Sequence, residues 1–430
     1  MNGFLLLAGS SVALLGSQST KITLQEAIQR AEAHSTAVRS AQSAVKTSKA
    51  RLGEQSSRSL PHVSLDGAAT RYDDKTTVTL PGAGSFEIMP DHQEQLGIVL
   101  AQDFDISGQI GASISQARLG LMASQYAAQA SIEDEALNAT SAYYGVLHAA
   151  QGVQVAQAAL DDYQEQLRTT TKLFQGGVGQ KIDVDRSQSQ VADAERELTA
   201  RQNDLDSAQS TLNDLVGNPL DTKLSLEPIL NGSSYPQTSN RPALIAKAMD
   251  KRPEALAATV EVAAAKKGIQ IARGANGPSL TMSLSGYHYP STSFVSPREN
   301  VGALTFSLSI PVFDGGLGRE QVSEAKSLVE TAEADQDHTR RQIALQVQNA
   351  ALDVDTAKKR LDAAQVAESS ADQARKLAQQ RYEAQVGLYL EVTDAQAALT
   401  AAQSAVNDAT YDLLTAEARL ARAINDPIVP

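Results

Sequence analysis

The sequence predicts a mainly α-helical protein built as a tandem repeat, with two short β-strands in each copy. Three observations support this fold class. Proline, which breaks helix interiors, is absent between Pro90 and Pro219 and between Pro311 and Pro427. Within these long stretches apolar residues recur at heptad spacing. Four shorter stretches alternate apolar and small polar residues instead, as half-buried strands do.

Composition excludes several classes of protein. The chain has 430 residues, a net charge of −13, no Cys and no Trp. Without Cys there can be no disulfide, thiolate metal site or cysteine nucleophile. No polybasic run is present, so a nucleic-acid partner is not expected. The six histidines lack metal-ligand spacing and no nucleophile stands in a motif with a base, so we expect no enzyme, metal or cofactor.

The first residues carry a targeting pattern. The segment from Phe4 to Gly16 is an apolar run of signal-peptide length, and small residues follow it. We predict that residues 1–20 are a signal peptide; a buried helix is the alternative, because no Lys or Arg precedes Lys21. No other apolar stretch reaches the length of a membrane-spanning helix.

Long helices account for most of the chain. From Arg319 to Val386 there is neither Gly nor Pro, and at ~1.5 Å per residue one helix over this segment would be roughly 100 Å long. Its apolar residues step by four and three in turn, which is typical of a coiled-coil seam. The seam residues are Ile343, Val347, Ala350, Val354, Ala357, Leu361 and Ala364. A similar seam runs from Ala395 to Ala423, and another from Val191 to Leu215 through Arg201.

The last two seams are copies of each other. Val178, Gly179, Leu205 and Pro219 recur at a constant offset as Val386, Gly387, Leu413 and Pro427, which indicates a tandem duplication. We predict a first repeat over 21–220, a linker or equatorial segment over 221–242 and a second repeat over 243–430. Each repeat is predicted to run helix, strand, strand, long helix, turn, helix.

The predicted strands lie before the long helices. Those of the first repeat are expected at about 61–73 and 94–106, and those of the second at about 278–290 and 301–313. In the clearest strand, Leu304, Phe306 and Leu308 alternate with Thr305 and Ser307.

One apolar face opposite one small-polar face fits a membrane β-barrel strand, with lipid outside and water inside; a half-solvated sheet fits as well. Aromatic residues concentrate in both strand regions, as they do at bilayer interfaces. Four strands cannot close a barrel, and open edges in lipid leave backbone groups unpaired, so the chain must form oligomers. Two copies would give an eight-stranded barrel filled by side chains, whereas three give twelve strands and a lumen. We favour three.

Several segments resemble the TolC family of outer-membrane efflux proteins. RYEAQVGLYLEVTDAQAAL (381–399) and LFQGGVGQKIDVDRSQSQV (173–191) are similar to that family's repeated helical-turn motif. LSIPVFDGGLG (308–318) and LAQDFDISG (100–108) resemble its strand-to-helix junction, and KITLQEAIQRA (21–31) and KRPEALAA (251–258) extend the similarity over nearly the whole chain after the leader.

The resemblance implies a homotrimer in the outer membrane. Its twelve strands would form a transmembrane β-barrel in outer-membrane lipid, and its helices a periplasmic tunnel. Such a channel gives passive exit to cargo, drugs, toxic compounds or secreted proteins, driven by an inner-membrane pump through a periplasmic adaptor protein. The alternative is a periplasmic coiled-coil scaffold or adaptor that forms no channel.

By matching motifs, the residues of the family's periplasmic constriction or gate fall on Asp183, Glu391 and Asp394, and Tyr382 matches a tyrosine that holds the closed state. Rings of acidic side chains select cations. Acidic residues near a helix start also simply favour the helix dipole, and that alternative stays open. The sequence departs from the motif at Gln385, where the family has Gly, and at Gly387, where the founding member has an Arg.

Overall fold

A computed structural model describes residues 21–82, 84–228, 238, 240–290 and 298–427 of the chain. The predicted signal peptide and part of the predicted linker lie outside these residues. The elements of the first half are β1 (Lys21–Ile22), α1 (Leu24–His34), α2 (Thr36–Ser57), β2 (His62–Arg71), β3 (Thr76–Leu80), β4 (Gly84–Met89), β5 (His92–Phe104), α3 (Gln109–Gln175) and α4 (Lys181–Val216). Those of the second half are β6 (Ser225–Leu226), α5 (Arg241–Lys251), α6 (Pro253–Ala275), β7 (Ser279–His288), β8 (Asn300–Ser309), α7 (Leu317–Glu383) and α8 (Tyr389–Ala423).

The order of elements confirms the tandem repeat. Helices, two paired strands, a helix of 67 residues, a turn and a shorter helix occur twice in succession. Helix boundaries follow local chemistry. The Thr23 hydroxyl accepts the Glu26 N–H at 3.2 Å and so caps α1, while Gly217, at φ 76°, ends α4 in the left-handed conformation that favours glycine.

The heptad pattern in α7 correctly identified its packed face. Ile343, Val347 and Val354 are almost completely buried, and Ala350 and Ala357 are buried beside them. Leu361 and Ala364 are half-buried. The seam of α4 is buried at Ala194 and Leu212, but Arg201 within it is exposed.

Strands β2, β5, β7 and β8 form one antiparallel sheet, in that order. Partners directly opposite each other share a face, so the register links Leu65 with Ile98, Leu100 with Leu284, and Leu284 with Leu304. The opposite face carries small or polar partners such as Ser285 and Ala303, or Thr281 and Ser307. The predicted alternation therefore describes a real two-faced sheet.

The apolar face of this sheet is exposed in the single chain. Leu65 is 69% exposed, Leu304 59% and Phe306 61%. Burial of such large side chains usually stabilises a protein by ~1.5–3 kcal/mol each. In one chain alone, this face gains only part of that stabilisation.

One pair of strands was missed by the sequence analysis. Strands β3 and β4 pair with each other in a hairpin between β2 and β5. Gly82 and Gly84 of its turn have φ of 87° and 90°, which only glycine adopts easily. The first repeat thus carries an insertion that is absent from the β7–β8 connection in the described part of the chain.

The chain divides into two compact units that do not coincide with the two repeats. Of the described residues, the first contains those up to Val38, those within Ile132–Leu244 and those from Gln346 on; the second contains those within Arg39–Ser131 and Ile245–Leu345. The four-stranded sheet belongs to the second unit. Each unit therefore takes part of both repeats.

The first unit has a core in which the start of the chain meets the long helices. Ile22, Leu24, Tyr143, Leu212 and Val216 are buried together there. The Tyr143 hydroxyl donates to the carbonyls of Ile22, at 3.1 Å, and Glu227, at 2.7 Å. Burial raises the pKa of Tyr143 to about 12. This tyrosine thus holds β1 and the chain after β6 against α3.

Candidate functional site at the helical turns

The two helical turns of the repeats have the same backbone structure. The N–H groups of Val178 and Gly179 both donate to the Leu173 carbonyl, at 3.1 and 2.9 Å. The N–H groups of Val386 and Gly387 donate in the same way to the Arg381 carbonyl, both at 3.0 Å. The duplicated motif therefore specifies a duplicated turn.

Glycine at 387 is explained by this turn. A Cβ on Gly387 would lie 2.9 Å from the Arg381 Cβ, and a Cβ on Gly179 would lie 2.7 Å from the Phe174 backbone nitrogen. A larger residue at either position would therefore force its neighbours in the turn to shift. Gln385, by contrast, has φ 58° where its counterpart Gly177 has 76°. A non-glycine residue carries a small strain in that region.

Asp183 and Glu391 occupy equivalent places in the first turns of α4 and α8. Neither helix has a side-chain cap at its start, where free N–H groups favour negative charge. Glu391 lies 3.5 Å from Arg381, with both side chains about half exposed, and such exposed pairs contribute only ~0–1 kcal/mol. Asp394 is exposed one turn later and makes no hydrogen bond or ion pair with the described residues.

Asp183 lies beside two tyrosines. The rings of Tyr382 and Tyr389 are 5.5 Å apart, inclined at 58°. Burial raises the pKa of Tyr382 to about 12, and the charge of Asp183 adds to the shift. Burial likewise raises the pKa of Tyr389, which is only 3% exposed. The structure thus brings predicted residues Asp183 and Tyr382 together at one place.

Tyr389 was missed by the sequence analysis. Its hydroxyl donates to Gln190 Oε1 at 2.9 Å, which ties the start of α8 to α4. The hydroxyls of Thr170 and Ser187 meet at 2.8 Å in the same region, and Gln396 donates to Asp162 at 3.0 Å. The sequence signal for this network was a set of polar residues near the turns, Thr170, Ser187 and Gln396, which the structure buries. Single-helix periodicity cannot show which of them meet.

Acidic and basic side chains form ion pairs within the helices next to the turns. Lys181 pairs with Asp185, and Lys376 with Asp372 at 2.5 Å. Among the described residues no group of three or more His, Asp or Glu side chains is arranged to hold a metal ion. Hydrogen bonds between the helices can hold an opening closed, and the charged side chains can line it.

A family model described as Outer membrane efflux protein matches residues 27–218 and 244–426. The chain belongs to the outer membrane efflux protein family. The resemblance to TolC proteins is confirmed, and the protein is a transport protein of the outer membrane rather than an enzyme, with its helical part in the periplasm. This membership favours the channel over the scaffold or adaptor.

Individual relatives agree with the family. The chain is 26% identical over 334 residues to the Pyoverdine export outer membrane protein OpmQ of Pseudomonas aeruginosa, covering 76% of this chain and 69% of OpmQ. It is 24% identical over 307 residues to the Outer membrane protein TolC of Vibrio cholerae, covering 70% of this chain and 69% of that TolC protein. The fold matches the crystal structure of the outer membrane protein VceC of Vibrio cholerae with a TM-score of 0.80 and 20% identity, over 94% and 97% of the two chains.

None of the helices in the described residues is long and apolar enough to cross a membrane.

Proposed function

We propose that three copies of this chain form a continuous export channel, with a twelve-stranded barrel in the outer membrane and a helical tunnel in the periplasm. The observation that carries this proposal is the four-stranded sheet. Its apolar face is exposed, and in the described residues its outer strands β2 and β8 each pair on one side only. A sheet that enters lipid cannot keep open edges, because unpaired backbone groups there cost several kcal/mol each.

Other copies of the chain are the natural partners of these edges. Joining β8 of one copy to β2 of the next repeats the antiparallel order, and three copies close a barrel wide enough for a lumen. Helix α7 supports the same assembly. Leu352, Val366 and Leu377 are exposed on it, Val366 by 68%, and contact with a neighbouring copy would bury them.

We further propose that the helical turns form the gate. Threefold symmetry would place three copies of Asp183, Glu391, Asp394 and Tyr382 around one axis. The carboxylates would attract cations to the opening. The hydrogen bond from Tyr389 to Gln190 would hold α8 against α4 in the closed state, and opening would separate them.

The same turns offer a docking surface for a periplasmic adaptor protein. Val178 is 63% exposed, and its counterpart Val386 is 70% exposed beside the exposed Leu388. Apolar side chains at the end of a helical hairpin favour a helical partner that covers them. An inner-membrane pump would drive cargo through that adaptor. The cargo, small toxic compounds or a secreted protein, would leave passively.

The test is to purify the mature chain from outer membranes in detergent, measure its mass and record single-channel currents in a planar bilayer. A trimer with small, cation-selective openings supports the proposal. A monomer that gives no conductance would contradict it.

A further inference from the structure

We infer that Gly97 and Tyr287 together set the free width of the channel near its outer end. Gly97 forms a recess in the barrel wall, and the Tyr287 ring lies in this recess instead of projecting into the lumen. The inference rests on the proposed barrel, because it takes the small-polar face of the sheet as the face that lines the lumen. Both residues belong to the second unit and lie on the neighbouring strands β5 and β7.

Tyr287 lies at the end of the sheet that is far from the helices. Strand β2 follows α2 and β5 precedes α3, while β7 follows α6 and β8 precedes α7, so all four connections to helices are at the same end of the sheet. Tyr287 is the last residue but one of β7 and is therefore near the opposite end. In the proposed channel that end opens to the outside of the cell, and a molecule that enters from outside passes Tyr287 first.

The register places Tyr287 on the small-polar face of the sheet. It stands directly opposite Gly97 on one side and Val301 on the other, and partners directly opposite each other share a face. Between Tyr287 and the helices, this face of β7 and β8 carries only small or polar residues, which are Ser285, Ser283, Thr281, Ala303, Thr305 and Ser307. The Tyr287 ring therefore does not face lipid. It has to lie either along the wall or across the lumen.

Gly97 gives the ring room to lie along the wall. Gly97 is buried, although the other residues of β5 are exposed or half-buried. A Cβ on Gly97 would overlap Cδ1 and Cε1 of Tyr287 and would lie 3.1 Å from Cγ. The ring thus covers the glycine directly. Glycine inside a strand often marks such a close approach, and here the group that approaches is an aromatic side chain.

A second tyrosine limits where the ring can go. The rings of Tyr287 and Tyr289 are 6.3 Å apart and inclined at 35°, which is within the range of favourable aromatic contacts. The backbone N–H of Tyr289 donates to the Glu299 carbonyl at 2.7 Å. Because Tyr289 obstructs movement along the wall toward the outer end, a ring displaced from the recess turns into the lumen. Three copies of the displaced ring would narrow the opening together.

Size-dependent labelling of an introduced cysteine tests this inference. The chain has no Cys, so Ser307→Cys, on the small-polar face deeper in the barrel, supplies a single thiol and serves as the parent protein. Intact cells with the full chain in the outer membrane would be treated with maleimides attached to polyethylene glycol of increasing length. The largest reagent that labels the parent would then be compared with N-ethylmaleimide.

Adding Gly97→Ala to the parent should lower the rate of labelling by the large reagent, because the displaced rings obstruct the lumen. The rate with N-ethylmaleimide should not change. Gly286→Ala is the matched control, because Gly286 precedes Tyr287 on β7 but lies on the apolar face, where a Cβ meets no atom within 4 Å. It should label like the parent with both reagents.

A double variant separates the displaced ring from other effects of substitution. Gly97→Ala combined with Tyr287→Ala removes the ring, so the large reagent should again label at the parent rate or faster. If the overlap prevents Gly97→Ala alone from assembling, the double variant should also recover the trimer.

The oligomer mass of every variant is measured first, because it distinguishes this inference from the proposed channel. A parent protein that forms no trimer would contradict the proposed function and this inference with it. A trimeric Gly97→Ala protein that labels at the parent rate with the large reagent would overturn the inference alone. A double variant that recovers neither assembly nor labelling would do the same.

Discussion

The Tyr389 hydroxyl donates to Gln190 at 2.9 Å and so links the first turn of α8 to α4 across the two repeats. Tyr389 begins α8 and Gln190 lies within α4, 199 residues away in the chain. In addition to apolar packing, this neutral hydrogen bond and the Gln396–Asp162 hydrogen bond therefore join the duplicated halves near the proposed gate.

Removing this bond should loosen the gate. Tyr389→Phe keeps the ring and deletes the hydroxyl, so we expect a loss of ~1 kcal/mol in the free energy of unfolding. It also leaves Gln190 Oε1 without its donor, and we expect more frequent channel openings in bilayer recordings. Tyr126→Phe is the matched control, because Tyr126 makes no hydrogen bond within the described residues. Equal opening frequencies in both variants would count against the role of Tyr389.

The acidic side chains of the turns should set ion selectivity. Changing Asp183→Asn, Glu391→Gln and Asp394→Asn together removes their negative field, so the ratio of cation to anion permeability should fall toward one. Asp185→Asn is the control, because Asp185 already pairs with Lys181. Reversal potentials in a salt gradient measure the ratio. Unchanged selectivity would assign these residues to stabilising the helix starts.

A side chain at position 387 should destabilise the protein. Gly387→Ala forces a Cβ to 2.9 Å from the Arg381 Cβ, and overpacking of this kind costs ~1–3 kcal/mol. Gly53→Ala in helix α2 is the control, where the open space predicts a gain of about 0.5–1 kcal/mol. Denaturant unfolding of both variants compares them. A Gly387→Ala protein as stable as the wild type would show that the turn relaxes.

Because Glu417 is buried, replacing it should raise the stability of the protein by an amount that depends on pH. Glu417 in α8 is 5% exposed, and burial raises the pKa of its carboxyl while Lys358 opposes the shift. The pKa of this carboxyl is therefore higher in the folded than in the unfolded protein. Its contribution to stability is fully present below the unfolded pKa of about 4.5 and is lost as the pH rises through the folded pKa. Glu417→Gln should therefore be more stable than the wild type at pH 7, with the difference shrinking near pH 4. Denaturation curves at both pH values check this, and a constant difference would contradict it.

Much of the fold was predictable because its periodicities are strong. The heptad residues Ile343, Val347 and Val354 are buried, and the alternating Leu304 and Phe306 lie on one sheet face. The β3–β4 hairpin was missed although Val78 and Phe86 flank a Pro-Gly turn, because strands of five and six residues give only a weak alternating pattern. The Tyr389–Gln190 contact depends on how helices from two repeats pack. Periodicity identifies which face of a helix packs, but not its partner.

The most direct test of the proposed assembly uses disulfide cross-linking of the strand edges. The chain has no Cys, so each introduced pair reports only on itself. Ser64→Cys on β2 would be combined in turn with Thr305→Cys, Ser307→Cys and Ser309→Cys on β8, because the register between copies has to be scanned. Val99→Cys with Ser285→Cys, which face each other on β5 and β7, is the control for a bond within one chain. The three-copy barrel predicts a covalent trimer on a non-reducing gel for one β2–β8 pair, while the control stays at monomer mass. Only monomers, or products that end at a dimer, under conditions where the control pair oxidises fully would contradict it.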